Sequence, residues 1–157
     1  MGLSILCVSA CSPGLDWREV RPEGAQALAL FPCKPEVTRR ASMGLAQCKA
    51  GSIIFSLSWA ELPDPAQVSP ALKQMRESLV QKMAVGSALA TVPRGIAVPG
   101  MTPDSQALSQ RLSGVRQQAQ VAVFSRGPRV YQAVMLSERR DDAAWESFFG
   151  SIKLEVK

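Results

Sequence analysis

The clearest hydrophobic pattern in the chain runs over residues 52–59. Large apolar side chains occupy every second position from Ile53 to Trp59, and serines occupy positions 52, 56 and 58. Successive side chains of an extended strand point to opposite faces of its sheet. The alternation therefore predicts a strand with one face in the core and the other towards solvent.

Shorter apolar segments predict further strands on both sides of this one. Pro32 and Pro35 follow the first of these segments, so we expect that strand to be irregular or to lie at a sheet edge. The sequence Arg126-Gly127-Pro128 predicts a tight turn between the last two strands. The predicted strands cover residues 27–31, 43–48, 106–112, 118–125 and 129–136.

Two segments carry the signals of helices. Ser69 followed by Pro70 predicts a helix start, because serine caps a helix and proline tolerates its first position. Gly86 is expected to end this helix, and the acidic pair Asp141 and Asp142 suits the start of a final one. The apolar faces are Leu72, Met75, Leu79 and Met83 in the first helix and Trp145, Phe148, Phe149 and Ile152 in the second.

The order of these elements is strands, helix, strands, helix, with a loop rich in proline and glycine over residues 91–103. This order predicts an α+β fold in which helices cover an antiparallel sheet. The length of 157 residues fits one domain, and 46% hydrophobic residues with 20% charged residues give no signal of disorder.

The N-terminal residues resemble the end of a secretory signal peptide. Residues 3–10 are apolar or small, a stretch too short to span a bilayer. The sequence Val8-Ser9-Ala10-Cys11 resembles a lipobox, the motif whose cysteine is acylated in bacterial lipoproteins. We therefore expect a signal remnant over 1–10, a lipidated tether over 11–16 and one domain over 17–157. The alternative for this segment is a first strand or an apolar tail.

The cysteines outside this segment are Cys33 and Cys48. We expect them on two strands of a hairpin that turns near Arg39 to Ser42, where facing residues lie close enough for a disulfide. An oxidising periplasm would permit the bond, and two buried reduced thiols are the alternative. A zinc site is disfavoured, because two thiols without any histidine do not make four ligands.

Composition narrows the chemistry further. Histidine is absent, which removes Ser-His-Asp and Cys-His catalysis, and we expect neither a cofactor nor a metal. The net charge of +5 is scattered along the chain without aromatic residues between the basic ones. This pattern is typical of a solvated surface and gives no indication of nucleic-acid binding.

Several segments resemble bacterial PsbP-like domains. Residues 30–35, Leu-Phe-Pro-Cys-Lys-Pro, are similar to the opening strand of that family, and residues 148–154 are similar to its closing segment. The resemblance covers about residues 27–154. It implies an α/β/α sandwich with a central antiparallel sheet, and it extends to small proteobacterial lipoproteins of unknown function that carry the same cysteine pair. Better-studied relatives bind protein partners.

The leading functional hypothesis is a non-enzymatic binding or assembly module. It would be lipid-anchored at the periplasmic face of the outer membrane, a location favoured by Ser12, with an envelope protein as its partner. One alternative is an enzyme that uses the carboxylates of Glu61 and Asp64. Another is a surface that binds an anionic ligand or lipid through the arginine pairs Arg39, Arg40, Arg139 and Arg140.

Overall fold

A computed structural model describes residues 15–84 and 89–155, so the predicted anchor Cys11 and the predicted helix end Gly86 lie outside the described residues. A short 3₁₀ turn, Pro65–Gln67, precedes the first of two helices, α1 (Val68–Ala84) and α2 (Asp142–Phe149). The strands are β1 (Arg18–Val20), β2 (Ala27–Phe31), β3 (Glu36–Arg40), β4 (Met43–Ala50), β5 (Ile53–Glu61), β6 (Leu89–Ala90), β7 (Arg94–Gly95), β8 (Leu108–Ser113), β9 (Gln118–Arg126), β10 (Arg129–Ser137) and β11 (Lys153–Leu154).

Most of the strands form one antiparallel sheet in the order β3-β4-β5-β10-β9-β8-β6, with β7 paired to β8. The long strands β5 and β10 are neighbours at its centre, where Tyr131 faces Trp59 and Met135 faces Phe55. A second, three-stranded sheet has the order β1-β2-β11. Because the strands pair antiparallel and two helices pack on them, the fold belongs to the α+β class.

The two faces of the main sheet are covered differently. On one face, α1 places Leu72 against Val121, Val123 and Val134 of the central strands. On the other face, the small sheet and α2 enclose the larger core. Aromatic rings hold this larger core together, because Phe148 of α2 lies edge-on to Phe55 of β5 with ring centroids 5.4 Å apart.

The strand predicted from the alternating pattern is confirmed as β5, in which the side chains of Phe55, Leu57 and Trp59 are buried. The strands predicted over 118–125 and 129–136 are also confirmed as β9 and β10, each one residue longer at its end. The predicted turn between them is present, and Gly127 there has a φ of 53°. This is the left-handed region that glycine adopts without steric cost.

The prediction that the strands over residues 27–31 and 43–48 pair in one hairpin was wrong. Strand β4 pairs with β3 and β5, whereas β2 lies in the small sheet between β1 and β11. The pattern did not predict β3, because Glu36–Arg40 is exposed at every position and has no apolar alternation. An edge strand needs no buried face, so hydrophobic periodicity cannot detect it.

The Cys33–Cys48 disulfide is present, with the two Cα atoms 5.9 Å apart. The hairpin turn predicted near Arg39 to Ser42 is present between β3 and β4, but Cys33 lies in the connection from β2 to β3 and not on a strand that faces β4. The bond ties that connection to β4, the strand next to the edge strand β3 in the main sheet.

Two local predictions also need correction. Ser69 does not cap α1, because the 3₁₀ turn begins the helical segment earlier, with Asp64 as its cap. The Ser69 hydroxyl instead donates to Asp104 Oδ1 at 3.1 Å. The segment predicted as a loop over 91–103 contains the short strand β7, which pairs with β8.

Gly44 provides a test of the packing between β4 and β5. A Cβ atom at this position would lie 2.1 Å from Cζ2 of the buried Trp59 ring. We therefore expect Gly44→Ala to lower the free energy of unfolding by about 1–3 kcal/mol, as overpacked cores do. Urea denaturation followed by circular dichroism measures this change.

Gly95→Ala is the matched control, because a Cβ atom at Gly95 would meet nothing within 4 Å. We expect this change to stay within about 0.5 kcal/mol of the parent protein. Equal stability of the two variants would contradict the close contact between Gly44 and Trp59.

Candidate functional site

The largest of the described depressions lies where β5 ends and β10 begins. We call it the proline groove, because Pro63, Pro65 and Pro128 form its wall together with Leu62. Its volume is about 860 Å³ and it is open to solvent. Proline cannot donate to a sheet ladder, so these residues end strands and line turns, which places them together at this edge.

Two large apolar side chains, Trp59 and Met43, also line the proline groove. Trp59 is buried, whereas 61% of Met43 is exposed. The register places both residues at the same end of the sheet, because Gly44 faces Trp59 and Met43 faces Ala60. An exposed methionine beside a buried tryptophan makes an adaptable apolar surface.

Arginine side chains fix the charged part of the proline groove. Arg129 donates to the carboxylate of Glu61 at 2.7 Å and to the backbone oxygen of Gly24 at 2.7 Å. The Arg129 side chain is only 15% exposed. Arg129 therefore joins the start of β10, the end of β5 and the turn before β2.

A second ion pair lies at the rim, where Arg39 Nη1 contacts Glu23 Oε1 at 2.9 Å. Both partners are largely exposed, so the pair contributes little to stability. Its effect is to neutralise the Arg39 guanidinium, which occupies the space that a Cβ atom on Gly24 would need.

Tyr131 lies next to the proline groove, because it faces the lining residue Trp59 on the neighbouring strand. Its side chain is fully buried and its hydroxyl donates to the backbone oxygen of Ala25 at 2.8 Å. Burial raises the pKa of Tyr131, because the phenolate would lose its hydration, and the nearby Arg129 partly opposes that shift. The ring also stacks on Phe124 with centroids 5.4 Å apart.

The carboxylates predicted as a catalytic pair have separate partners. Glu61 is paired with Arg129, and Asp64 Oδ1 accepts a hydrogen bond from the backbone of Ala66 at 2.9 Å. Asp64 therefore caps the 3₁₀ turn, which is a structural role. Each carboxylate thus has its own partner, an arginine for Glu61 and the backbone of the 3₁₀ turn for Asp64.

A second depression, of about 670 Å³, lies beside the start of α2. We call it the Asp142 cleft, because Asp142 Oδ1 accepts hydrogen bonds from Arg111 at 3.2 Å, Gln120 at 3.3 Å and Arg140 at 2.9 Å. The hydrogen bonds from Arg140 lower the pKa of Asp142. A lowered pKa keeps this carboxylate ionised, which is opposite to what a general acid needs.

The four predicted arginines do not form one site. Arg39 and Arg40 end β3 beside the proline groove, whereas Arg139 and Arg140 follow the far end of β10. The eight residue steps from Arg129 to Ser137 span about 27 Å at the rise of an antiparallel strand. Arg140 already contacts Asp142, so the two arginine pairs act in different surroundings.

The sequence had not indicated the part played by Arg129 and Tyr131. Their partners in the turn before β2 lie 105 and 106 residues away along the chain. The one local signal was the run Leu62-Pro63-Asp64-Pro65, which breaks the strand pattern at the place where the wall of the groove forms.

No protein-family model matches the chain, and the curated proteins contain no match to it. The resemblance to PsbP-like domains therefore stays a prediction that depends on the residues quoted above. Within residues 15–84 and 89–155, no helix is long and apolar enough to cross a membrane.

Tyr131 gives this site a spectroscopic test, because the chain contains one tyrosine. An unfolded tyrosine ionises near about pH 10, and the raised pKa keeps Tyr131 protonated above that pH in the folded protein. Folding stability should therefore be fully present below about pH 10 and fall as the pH rises towards the folded pKa. Tyrosinate absorbance reports the ionisation directly.

Tyr131→Phe is the corresponding variant. We expect it to lose about 1 kcal/mol at neutral pH through the missing hydrogen bond to Ala25. It should also lose the alkaline decrease in stability that Tyr131 causes. Tyrosinate that forms in the folded parent protein at the ordinary value near about pH 10 would contradict this assignment.

Proposed function

We propose that this protein is a non-enzymatic binding module, tethered by lipid in the bacterial cell envelope, that holds a protein partner in the proline groove. The observation that carries the proposal is the composition of that groove. Its lining combines the exposed side chains of Met43 and Pro63 with the buried ring of Trp59. Apolar side chains exposed beside fixed charges are typical of surfaces that contact other proteins.

The charged groups of the groove favour binding over catalysis. Glu61 is paired with Arg129, and the Arg129 guanidinium also has the Gly24 oxygen as an acceptor. A carboxylate-dependent enzyme needs a second acid or base at the same centre, and Glu61 is the one carboxylate among the described residues that line the groove. Fixed ion pairs instead offer a stable pattern of charge that a partner can recognise.

The expected occupant is a segment of a protein with an apolar side chain. Proline offers no backbone donor, so the wall contributes contact area and no hydrogen bonds to a backbone. The polar contacts would come from Glu61, which is half exposed, and from Arg39 at the rim. A segment with an apolar side chain and a basic or acidic neighbour therefore fits this groove.

The location of the protein in the cell is part of the same proposal. The lipobox-like sequence that ends at Cys11 supports lipidation, a tether over 11–16 and a single domain over 17–157. The Cys33–Cys48 bond supports an oxidising compartment such as the periplasm, because cytosolic thiols are kept reduced. Ser12 favours the periplasmic face of the outer membrane.

Membership of the PsbP-like family is part of the same proposal. The described layers are α1, the main antiparallel sheet, and then α2 with the small sheet. This arrangement supports the α/β/α sandwich that the resemblance to PsbP-like domains implies. Phe148, in the closing segment that resembles the family, is fully buried.

A photoreactive residue in place of Met43 tests the proline groove. In envelope membranes of the native host, we expect it to form one dominant adduct with the same protein in repeated experiments. The control places the same residue at Val92, which is 82% exposed and lines the Asp142 cleft. Mass spectrometry of the adducts compares the two positions.

A second substitution makes this test specific. Pro63→Glu adds a charge to the exposed wall of the groove, and we expect it to remove the Met43 adduct while leaving the fold intact. Adducts that are as frequent at position 92 as at position 43, or that survive Pro63→Glu, would show that the groove is not the binding surface.

The mass of the mature protein from its native host tests the address. We expect diacylation at Cys11 and the loss of one hydrogen atom from each thiol of Cys33 and Cys48. A mature chain that retains Met1 and an unmodified Cys11 would refute lipid anchoring. The groove experiment would still decide the binding role.

A further inference from the structure

The turns at the end of the sheet opposite the proline groove form a separate surface, which we call the basic end. The register brings its parts together, because Ser137 faces Gln118, which in turn faces Ser113. On the other side, Ile54 faces both Leu136 and Lys49. The turn after β4, the turn after β8 and the segment after β10 therefore lie at the same end of the strands of the main sheet.

The chain enters the domain near this edge. Trp17 packs edge-on against Phe55 with ring centroids 5.5 Å apart, and Leu15 packs against the same core. Phe55 faces Cys48 and Met135, near the ends of β4 and β10. The first described residues are thus closer to the basic end than to the proline groove.

Chain length limits how far the proposed anchor can lie from this point. Four residue steps separate Cys11 from Leu15, and a chain that is fully extended covers at most about 14 Å over them. Strand β5 runs about 27 Å from Ile53 to Glu61. A lipid on Cys11 would therefore hold the basic end nearer to the membrane than the groove.

The surface chemistry of the basic end suits that position. Val115 and Leu89 are 80% and 76% exposed, and Leu89 faces Ser113 beside the turn that carries Val115. Exposed apolar side chains among basic ones are typical of surfaces that contact lipid headgroups. The end of α1 also lies here, because the Met83 side chain would lie 3.7 Å from a Cβ atom at Gly114 in the turn after β8. The exposed basic residues of this end are Lys49, Lys82, Arg116, Arg139 and Arg140.

Carboxylates are also present at this end, and most of them are engaged within the protein. Asp141 caps α2 through the backbone of Ala144, and Asp142 is held by Arg111 and Arg140. Glu138 is exposed. Glu36, which lines one depression with Lys49, is also exposed, and Asp16 pairs with Arg18 beside Trp17. With Lys34 and Arg18 added, the basic residues of this end still outnumber the carboxylates, so an anionic surface would attract it.

We propose that the basic end lies on the anionic phospholipid surface that holds the anchor, so that the proline groove faces away from the membrane. This inference rests on the proposed lipidation of Cys11. Basic side chains act on anionic lipids over about one Debye length, about 8 Å, which the short tether allows. The partner would then approach from the aqueous side, as a water-soluble protein or a protruding domain.

Vesicle binding of the full chain without lipid tests the surface itself. Lys82→Gln with Arg139→Gln should weaken binding to phosphatidylglycerol vesicles by roughly tenfold or more at low salt. The control, Lys73→Gln with Arg40→Gln, removes the same charges from exposed positions on the same helix and at the end of β3. It should change binding less than about twofold.

Both outcomes that differ from this expectation would overturn the proposal. If the two double variants weaken binding equally, net charge alone causes the attraction. If the parent chain binds phosphatidylglycerol no better than phosphatidylcholine, the basic end is not a lipid surface. Circular dichroism confirms that each variant is folded.

The orientation is read in the acylated protein with a fluorophore on one introduced cysteine. Ser52→Cys lies in the turn at the basic end, and Ser42→Cys lies in the turn beside the proline groove. Nitroxide lipids should quench the fluorophore at position 52 and leave the one at position 42 unchanged. Equal quenching, or stronger quenching at position 42, would refute the orientation even when Cys11 is shown to be acylated.

Discussion

Burial of the central strands on both faces is the constraint on which the rest of the structure depends. Seven consecutive residues of β9 are buried, and β10 beside it is buried along most of its length. One face is covered by α1 through Leu72, and the other by aromatic rings from α2 and the small sheet. A strand covered on both sides needs a layer on each, so the positions of both helices follow from it.

The proline groove follows from the same constraint. Trp59 is the last of the buried side chains that alternate along β5. It lies close to solvent because the strand ends two residues later, at Glu61. Arg129 closes the core at this edge by binding one side chain and one backbone oxygen. The site is the place where a packed interior meets solvent under a wall of prolines.

The sequence predicted those parts of the fold in which a local residue pattern is compatible with only one secondary structure. Alternation in β5 and the turn at Gly127 identified the central strands, and the acidic residues Asp141 and Asp142 identified the start of α2. These signals are local, because side chains a few residues apart decide them. The strand partners were less predictable, since β2 and β4 have similar apolar segments that do not specify a neighbour.

The candidate site was largely invisible to such reasoning. Arg129 and Tyr131 obtain their roles from backbone oxygens more than a hundred residues away, at Gly24 and Ala25. The arginines are scattered along the sequence, and no local pattern distinguishes one that binds within the fold from one that is only exposed to solvent. The disulfide pair was predictable, because two cysteines outside the lipobox-like segment have few alternatives, but its place beside β3 was not.

The Cys33–Cys48 bond has a consequence for strand β3 that concerns its alignment. Every residue of Glu36–Arg40 is exposed, so no buried side chain distinguishes the observed pairing with β4 from one that is shifted along the strand. The covalent bond holds Cys33, three positions before Glu36, against Cys48 near the end of β4. The bond therefore fixes the register in which β3 pairs with β4. For β5 and β10, burial of their apolar side chains in the core fixes the register. A reduced protein would keep its central strands and lose the alignment of its edge, leaving a polar strand free to slide or to pair with another chain.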